Sequence, residues 1–313
     1  MKKLLCIFIA FCFVLLTLFA SIQSARETRL DNEKNELQGP EPEVSAIITQ
    51  DSVKEAALGN PQTTETSESA VVDDDAIWED FAQWVESLPR LPPGKRASLK
   101  DLYTQHLMIR GVTMEEVQRR WARIDILRSE TIDHERIYWD GKHKLDDSPS
   151  EPLALVRNAV SGVRPGKALD VAMGNGRHAI YLASLGWEAT GYDFSPESIQ
   201  RALARAAKAS VTITAVRATH DNFDFGKSRW DLIVTAYPYY ETMDPTWPPR
   251  LWKATKLGGI VVFQGVAKEG SVRADFVQLW RPFHLVHCEI LDHGEDWFEG
   301  KESRTVKIIA HKM

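Results

Sequence analysis

The chain has 313 residues, 38 Lys+Arg against 44 Asp+Glu for a formal net charge of −6, and is 43% hydrophobic and 26% charged. That balance excludes collagen-like, coiled-coil and wholly disordered chains. It also lacks the basic excess with which a nucleic-acid binder displaces counterions from phosphates, so no nucleic-acid partner is expected.

Residues Leu4 to Ala20 read LLCIFIAFCFVLLTLFA and follow Lys2 and Lys3. A basic flank before an uncharged apolar run is the pattern of a signal peptide or signal anchor. Continued through Ile22, the run covers a hydrocarbon core of about 30 Å at about 1.5 Å per residue. Cuts after Ala20 or Ala25 would place Leu18 or Gln23 at position −3, and only a cut after Ser24, with Ile22 there, is tolerable, so a cleaved signal peptide stays the alternative. Of the two, an uncleaved transmembrane helix over residues 1–23, a single-pass membrane anchor, is the favoured reading. Its orientation stays open, because Arg26, Arg29 and Lys34 beyond the span balance the two lysines before it. The chemistry inferred below calls for a cytosolic domain. Cys6 and Cys12 lie in the apolar run and Cys288 is alone in the rest, so no intrachain disulfide staples the folded part.

Residues 24–75 are rich in Glu, Asp, Gln, Ser and Thr and supply much of the negative charge. Such a segment buries too little apolar surface to offset its ordering entropy and reads as a disordered acidic linker. Residues 76–150 form a helical lead-in. Trp78, Phe81, Val85 and Leu88 recur at helical spacing until Pro89 and Pro92 stop the helix. Ser98 opens a second helix that Gly111 closes. Thr113 and Glu116 make a capping box before a third, with Val117, Trp121, Ile124 and Leu127 on one face. Aromatics at this spacing read as core packing.

From 151 to 313 short apolar runs alternate with helical stretches. Ala168–Ala172, Glu188–Tyr192, Val211–Val216, Asp231–Ala236 and Ile260–Gly265 read as strands. Arg177–Leu185 and Pro196–Ala209 read as helices, the latter with Ser195 as N-cap. The alternation predicts a parallel sheet with helices on both faces and a ligand at the carboxyl ends of its strands. The first strand ends in Asp170-Val-Ala172-Met-Gly174-Asn-Gly176, whose glycines permit a tight strand-to-helix turn. Seventeen residues beyond Gly176, Asp193 closes the second strand, where an acid accepts hydrogen bonds from a ribose diol. Gly174 to Ala179 also fits the G-x-G-x-x-A of a nicotinamide site. Asp170 favours a cationic sulfonium cofactor over a pyrophosphate.

The stretch ALDVAMGNGRHAIYLASLGWEATGYDFSPESIQRA resembles the first motif and following acid of class I S-adenosylmethionine-dependent methyltransferases, especially the tellurite- and thiopurine-resistance-type branch. FDFGKSRWDLIVTAYP and LGGIVVFQG resemble that family's fourth and fifth strands. The resemblance implies a Rossmann-like, seven-stranded, mostly parallel sheet with a C-terminal antiparallel hairpin, for which His284–Leu291 and Thr305–Ala310 are suited. It implies S-adenosylmethionine as cofactor. Asp170, Ala172, Gly174 and Gly176 would surround its methionine part, with Ala172 standing where the family carries glycine. Asp193 and Phe194 would lie at the ribose, and Thr219, His220 and Asp221 near adenine. The acceptor, a small molecule or a lipid-proximal one, would sit beyond the fourth strand, where Tyr237 and Tyr239 are the candidate catalytic residues. Tyr138 and Trp139 belong to a W-D stretch that in related enzymes folds over the cofactor. His284 and His287 lie three apart on a strand and face opposite ways, so no metal is expected. A nicotinamide oxidoreductase and a membrane-anchored binding module without turnover are the alternatives.

Overall fold

A computed structural model describes residues 73–92, 95–238, 242–296 and 303–313. The lead-in is four helices: α1 (Asp74–Ser87), α2 (Leu99–Ile109), α3 (Met114–Leu127) and α4 (Ile132–Lys144). α1 starts two residues earlier than expected, because Asp74 and Asp75 suit the positive end of its dipole. Ser98 and Thr113 cap α2 and α3 through their hydroxyls. The predicted capping box is only half made. Thr113 accepts from the Glu116 N–H, but the Glu116 carboxylate turns to Arg119 and Arg120. Phe81 sits at the centre of the lead-in core, edge-on to Tyr103 at 5.2 Å and to Trp121 at 6.1 Å.

After α5 (Ala154–Val160) come β1 (Lys167–Val171), α6 (Arg177–Ser184), β2 (Glu188–Asp193), α7 (Pro196–Lys208), β3 (Thr214–Arg217) and β4 (Trp230–Ala236). Then follow α8 (Trp247–Ala254), β5 (Thr255–Ala267), α9 (Arg273–Leu279), β6 (His284–Leu291) and β7 (Arg304–His311). The seven strands form one sheet in the order β3-β2-β1-β4-β5-β7-β6, with β7 antiparallel to both neighbours. This is the Rossmann-like sheet with a C-terminal antiparallel pair that the sequence implies. Successive residues alternate between its two cores. Leu169, Ile233 and Val261 pack on the α8–α9 side, whereas Ala168, Leu232 and Ile260 pack under α5, α6 and α7. β3 begins at Thr214 rather than at Val211, because the Val211 N–H still donates to Ala206 at the end of α7.

The expected membrane location is corrected. Among the described residues no helix is long and apolar enough to cross a membrane. α1 and α3, the longest of them at 14 residues, reach only about 21 Å. Residues 1–23, on which the anchor was read, and most of the 24–75 linker lie outside the described residues.

Candidate functional site

The sheet reverses its winding between β1 and β4, and the carboxyl ends of these strands open a crevice there. Asp170 lies beneath the turn leaving β1, buried, not in the crevice. Its Oδ2 accepts from the Ala179 N–H at 3.0 Å, and Nδ1 of His178 is 3.6 Å from its Oδ1. The carboxylate thus sits at the positive end of α6 and fixes the turn. Ala172 is left-handed at φ 51°, a conformation that costs an L-residue roughly 1–2 kcal/mol, so glycine would be relaxed there. Gly176 is left-handed as well, and a Cβ on it would stand 2.8 Å from the Ala202 Cβ of α7. Gly176→Ala should cost about 2–4 kcal/mol through clash plus backbone strain. Urea unfolding measures it, and a loss under about 0.5 kcal/mol would contradict the packing described.

Asp193 ends β2. Its Oδ2 accepts from the Gly174 N–H at 2.9 Å and its Oδ1 from the Ser195 N–H at 3.0 Å. Burial nevertheless pushes this carboxyl up to about 6. The glycine turn and the acid are therefore one hydrogen-bonded unit.

Helix α4 forms the opposite wall. Glu135, Trp139 and His143, spaced by four, share its inner face. The Glu135 Oε1 accepts from Trp139 Nε1 at 2.7 Å and from Arg128 Nη1 at 3.2 Å, and burial pushes its carboxyl up. Burial holds the His143 imidazole down at about 3, with the charges of Lys142 and Arg201 acting the same way, so it is neutral at pH 7. The wall is fastened to the sheet layer by polar ties. Ser195 Oγ donates to Asp140 Oδ1 at 2.5 Å. The Arg201 guanidinium on α7 donates to the carbonyls of His143, Lys144 and Leu91 at 2.8–3.2 Å.

Between floor and wall lies a cavity of about 270 Å³. Ala172, Met173, Gly174, Asn175, Asp193 and Phe194 line its floor. Arg128, Glu135, Tyr138, Trp139, Lys142 and His143 line its wall, and Ala236, Tyr237 and Pro238 line its end beyond β4. Arg177 and His178 complete it. Four of these residues carry a buried polar atom without a hydrogen-bond partner: Arg128 Nε, Glu135 Oε2, His143 Nδ1 and His178 Nε2. Such atoms are costly, and their concentration around one cavity makes it the candidate ligand site.

The structure thus gathers Ala172, Gly174, Asp193, Phe194 and Tyr237 around one space, with Asp170 and Gly176 directly beneath. Thr219, His220 and Asp221 are not among the lining residues. Thr219 N–H donates to Asn222 Oδ1, and His220 pairs with the Tyr192 hydroxyl at 2.7 Å. Tyr239 lies outside the described residues. The Tyr237 hydroxyl donates to the Glu295 carbonyl and accepts from Gln264, each at 2.9 Å, and burial pushes it up to about 12. It keeps its proton at pH 7, which removes it as a general base. The loop after β6 is further held by the bidentate pair of Arg177 with Asp296 at 2.5–2.7 Å. Glu135, Lys142 and Arg128 escaped the sequence reading, although the i, i+4, i+8 spacing of Glu135, Trp139 and His143 carried a signal. Among the described residues no group of His, Cys, Asp and Glu is arranged to hold a metal ion.

The family model described as "Methyltransferase domain" matches residues 168–259. An uncharacterized protein of Mycobacterium tuberculosis is 33% identical over 86 residues, 27% of this chain and 31% of that one. An uncharacterized methyltransferase of Synechocystis is 30% identical over 102 residues, 32% of this chain and 42% of its own length. The chain therefore spans about a third of the length of the curated relatives it matches. Among solved structures, TehB from Haemophilus influenzae superposes with a TM-score of 0.44 at 16% identity, over 56% of this chain and 66% of that one. Residues 168–259 thus match a methyltransferase domain, carried on the seven-stranded order described above.

Proposed function

We propose that the protein transfers a methyl group from S-adenosylmethionine to a small-molecule acceptor by in-line attack. The observation that supports this reading is the cavity in which the glycine turn, the buried acid of β2 and the end of β4 meet. Asp193 holds the ribose diol, Ala172 and Gly174 flank the methionine part, and Phe194 packs beside the nucleoside. Asp170 and Gly176 shape the turn from below. Tyr237 lines the acceptor end with its ring while its hydroxyl holds the β6–β7 loop. The cofactor supplies an electrophilic methyl group. The chain supplies enclosure and alignment: α4 and the loop tied by Arg177 and Asp296 exclude water from the crevice.

Incubation with methyl-tritiated cofactor and a panel of small metabolites tests the proposal. Label should pass to an acceptor with release of S-adenosylhomocysteine. Binding without transfer to any acceptor would favour a binding module instead.

The state of Asp193 adds a pH dependence. Ribose hydroxyls donate to the ionised carboxyl, so ligand binding is full above its free-protein value of about 6 and weakens as pH falls through it. Affinity for S-adenosylhomocysteine at pH 5 should be about tenfold below that at pH 7. Calorimetry at the two pH values measures this, and equal affinities would show that the carboxylate is not the diol's partner.

A further inference from the structure

The segment that matches the methyltransferase family begins at residue 168, yet five of the seventeen residues lining the cavity come from α4, outside it. His143 is the residue of α4 nearest the glycine turn, since its Cε1 would lie 3.5 Å from a Cβ placed on Gly174. Its side chain is buried and lines the cavity, and its Nδ1 has no hydrogen-bond partner. The ring stacks on Trp139, but its buried Nδ1 has given up hydration without a hydrogen bond in return, which a ligand in the cavity would supply. Its position is fixed from outside, because Arg201 grips the His143 and Lys144 carbonyls at the end of α4.

Resting on the methyltransferase reading above, we propose that His143 binds the amino-acid end of the cofactor, donating from Nδ1–H to its carboxylate. The ribose diol is a donor and finds its acceptor in Asp193, on the floor. The carboxylate is an acceptor and needs donors, and His178 Nε2 at the turn is unpartnered as His143 Nδ1 is on the wall. The Arg177 guanidinium is engaged by Asp296, and Arg128 faces Glu135. On the wall, His143 provides a donor and the neighbouring Lys142 a positive charge, although Lys142 also pairs with Asp147 at 3.1 Å. The lead-in helix is then a built part of the cofactor site and selects for an intact aminocarboxypropyl chain.

The test is calorimetry of the full chain with two ligands, S-adenosylhomocysteine and 5′-methylthioadenosine, which lacks the amino-acid end. His143→Leu fills the space without the polar atom. It should weaken S-adenosylhomocysteine about tenfold to a hundredfold and leave 5′-methylthioadenosine within about twofold. His143→Asn, whose amide reaches the place of Nδ1, should recover most of the loss, and His143→Gln, whose amide reaches the place of Nε2, should not. If the leucine variant fails to fold, the Asn and Gln pair carries the same comparison. Equal losses for both ligands, or no loss for either, would overturn the assignment while leaving the methyltransferase reading intact. A wild-type chain that binds neither ligand would overturn both.

Discussion

Asp193→Ala should raise the dissociation constant for S-adenosylhomocysteine by about two to three orders of magnitude. Two losses add in this variant. The ribose diol forfeits charge-assisted hydrogen bonds to a carboxylate in a water-poor site, each worth about 1.5–3 kcal/mol. The Gly174 and Ser195 N–H groups, which now point at the Asp193 oxygens, lose their acceptor and the glycine turn loses its fixed shape. Asp193→Asn keeps one carbonyl oxygen and should fall between the two. Calorimetry at pH 7.5 measures the series, and an Ala variant within about threefold of wild type would place the diol elsewhere.

The second large effect concerns stability. Arg201→Met should lower the thermal midpoint by about 6–12 °C. The guanidinium donates to three carbonyls, those of Leu91, His143 and Lys144, and is itself buried. At about 1 kcal/mol for each net hydrogen bond the loss is about 3 kcal/mol, or about 2–4 °C per kcal/mol in a folded unit of this size. Methionine preserves the apolar stem, so the effect isolates the polar grip. Because the grip positions α4, affinity for S-adenosylhomocysteine should fall with it, by about tenfold. A scan of the apo protein with and without the ligand reads both. A shift below about 2 °C would show that α4 is held by its apolar face alone.

These two residues also show where sequence reasoning succeeds and where it stops. Asp193 was legible because a strand of short apolar residues ends in an acid at a fixed distance from a glycine turn, a purely local pattern. The Ser195 cap and the His284–Leu291 strand were legible on the same ground, since cap chemistry and alternation act over a few residues. Helix α4 was legible only in part: its W-D stretch pointed to Tyr138 and Trp139, which line the cavity, but in the charge-rich IDHERIYWDGKHK nothing local marks Glu135, Asp140 and His143 as buried. What buries them lies far away in the chain: Asp140 meets Ser195 across 55 residues and His143 meets Arg201 across 58. Hydropathy patterns register which face is apolar but not which polar groups find partners, so a polar wall facing a ligand looks like a surface. The loop tie of Arg177 to Asp296, separated by 119 residues, escaped for the same reason.

Ala172 presents the opposite case, a local departure visible at once. Its left-handed backbone explains why glycine is the relaxed residue there, and Ala172→Gly should tighten the turn's fit without altering its hydrogen bonds.

S-adenosylmethionine is proposed to bind in the cavity between the glycine turn and α4. The most direct measurement is a paired calorimetric titration of the full chain with S-adenosylhomocysteine and with NADH at pH 7.5. One molecule of S-adenosylhomocysteine per chain, with a dissociation constant on the order of micromolar, and no heat from NADH is the expected result. Binding of NADH without S-adenosylhomocysteine would contradict the account.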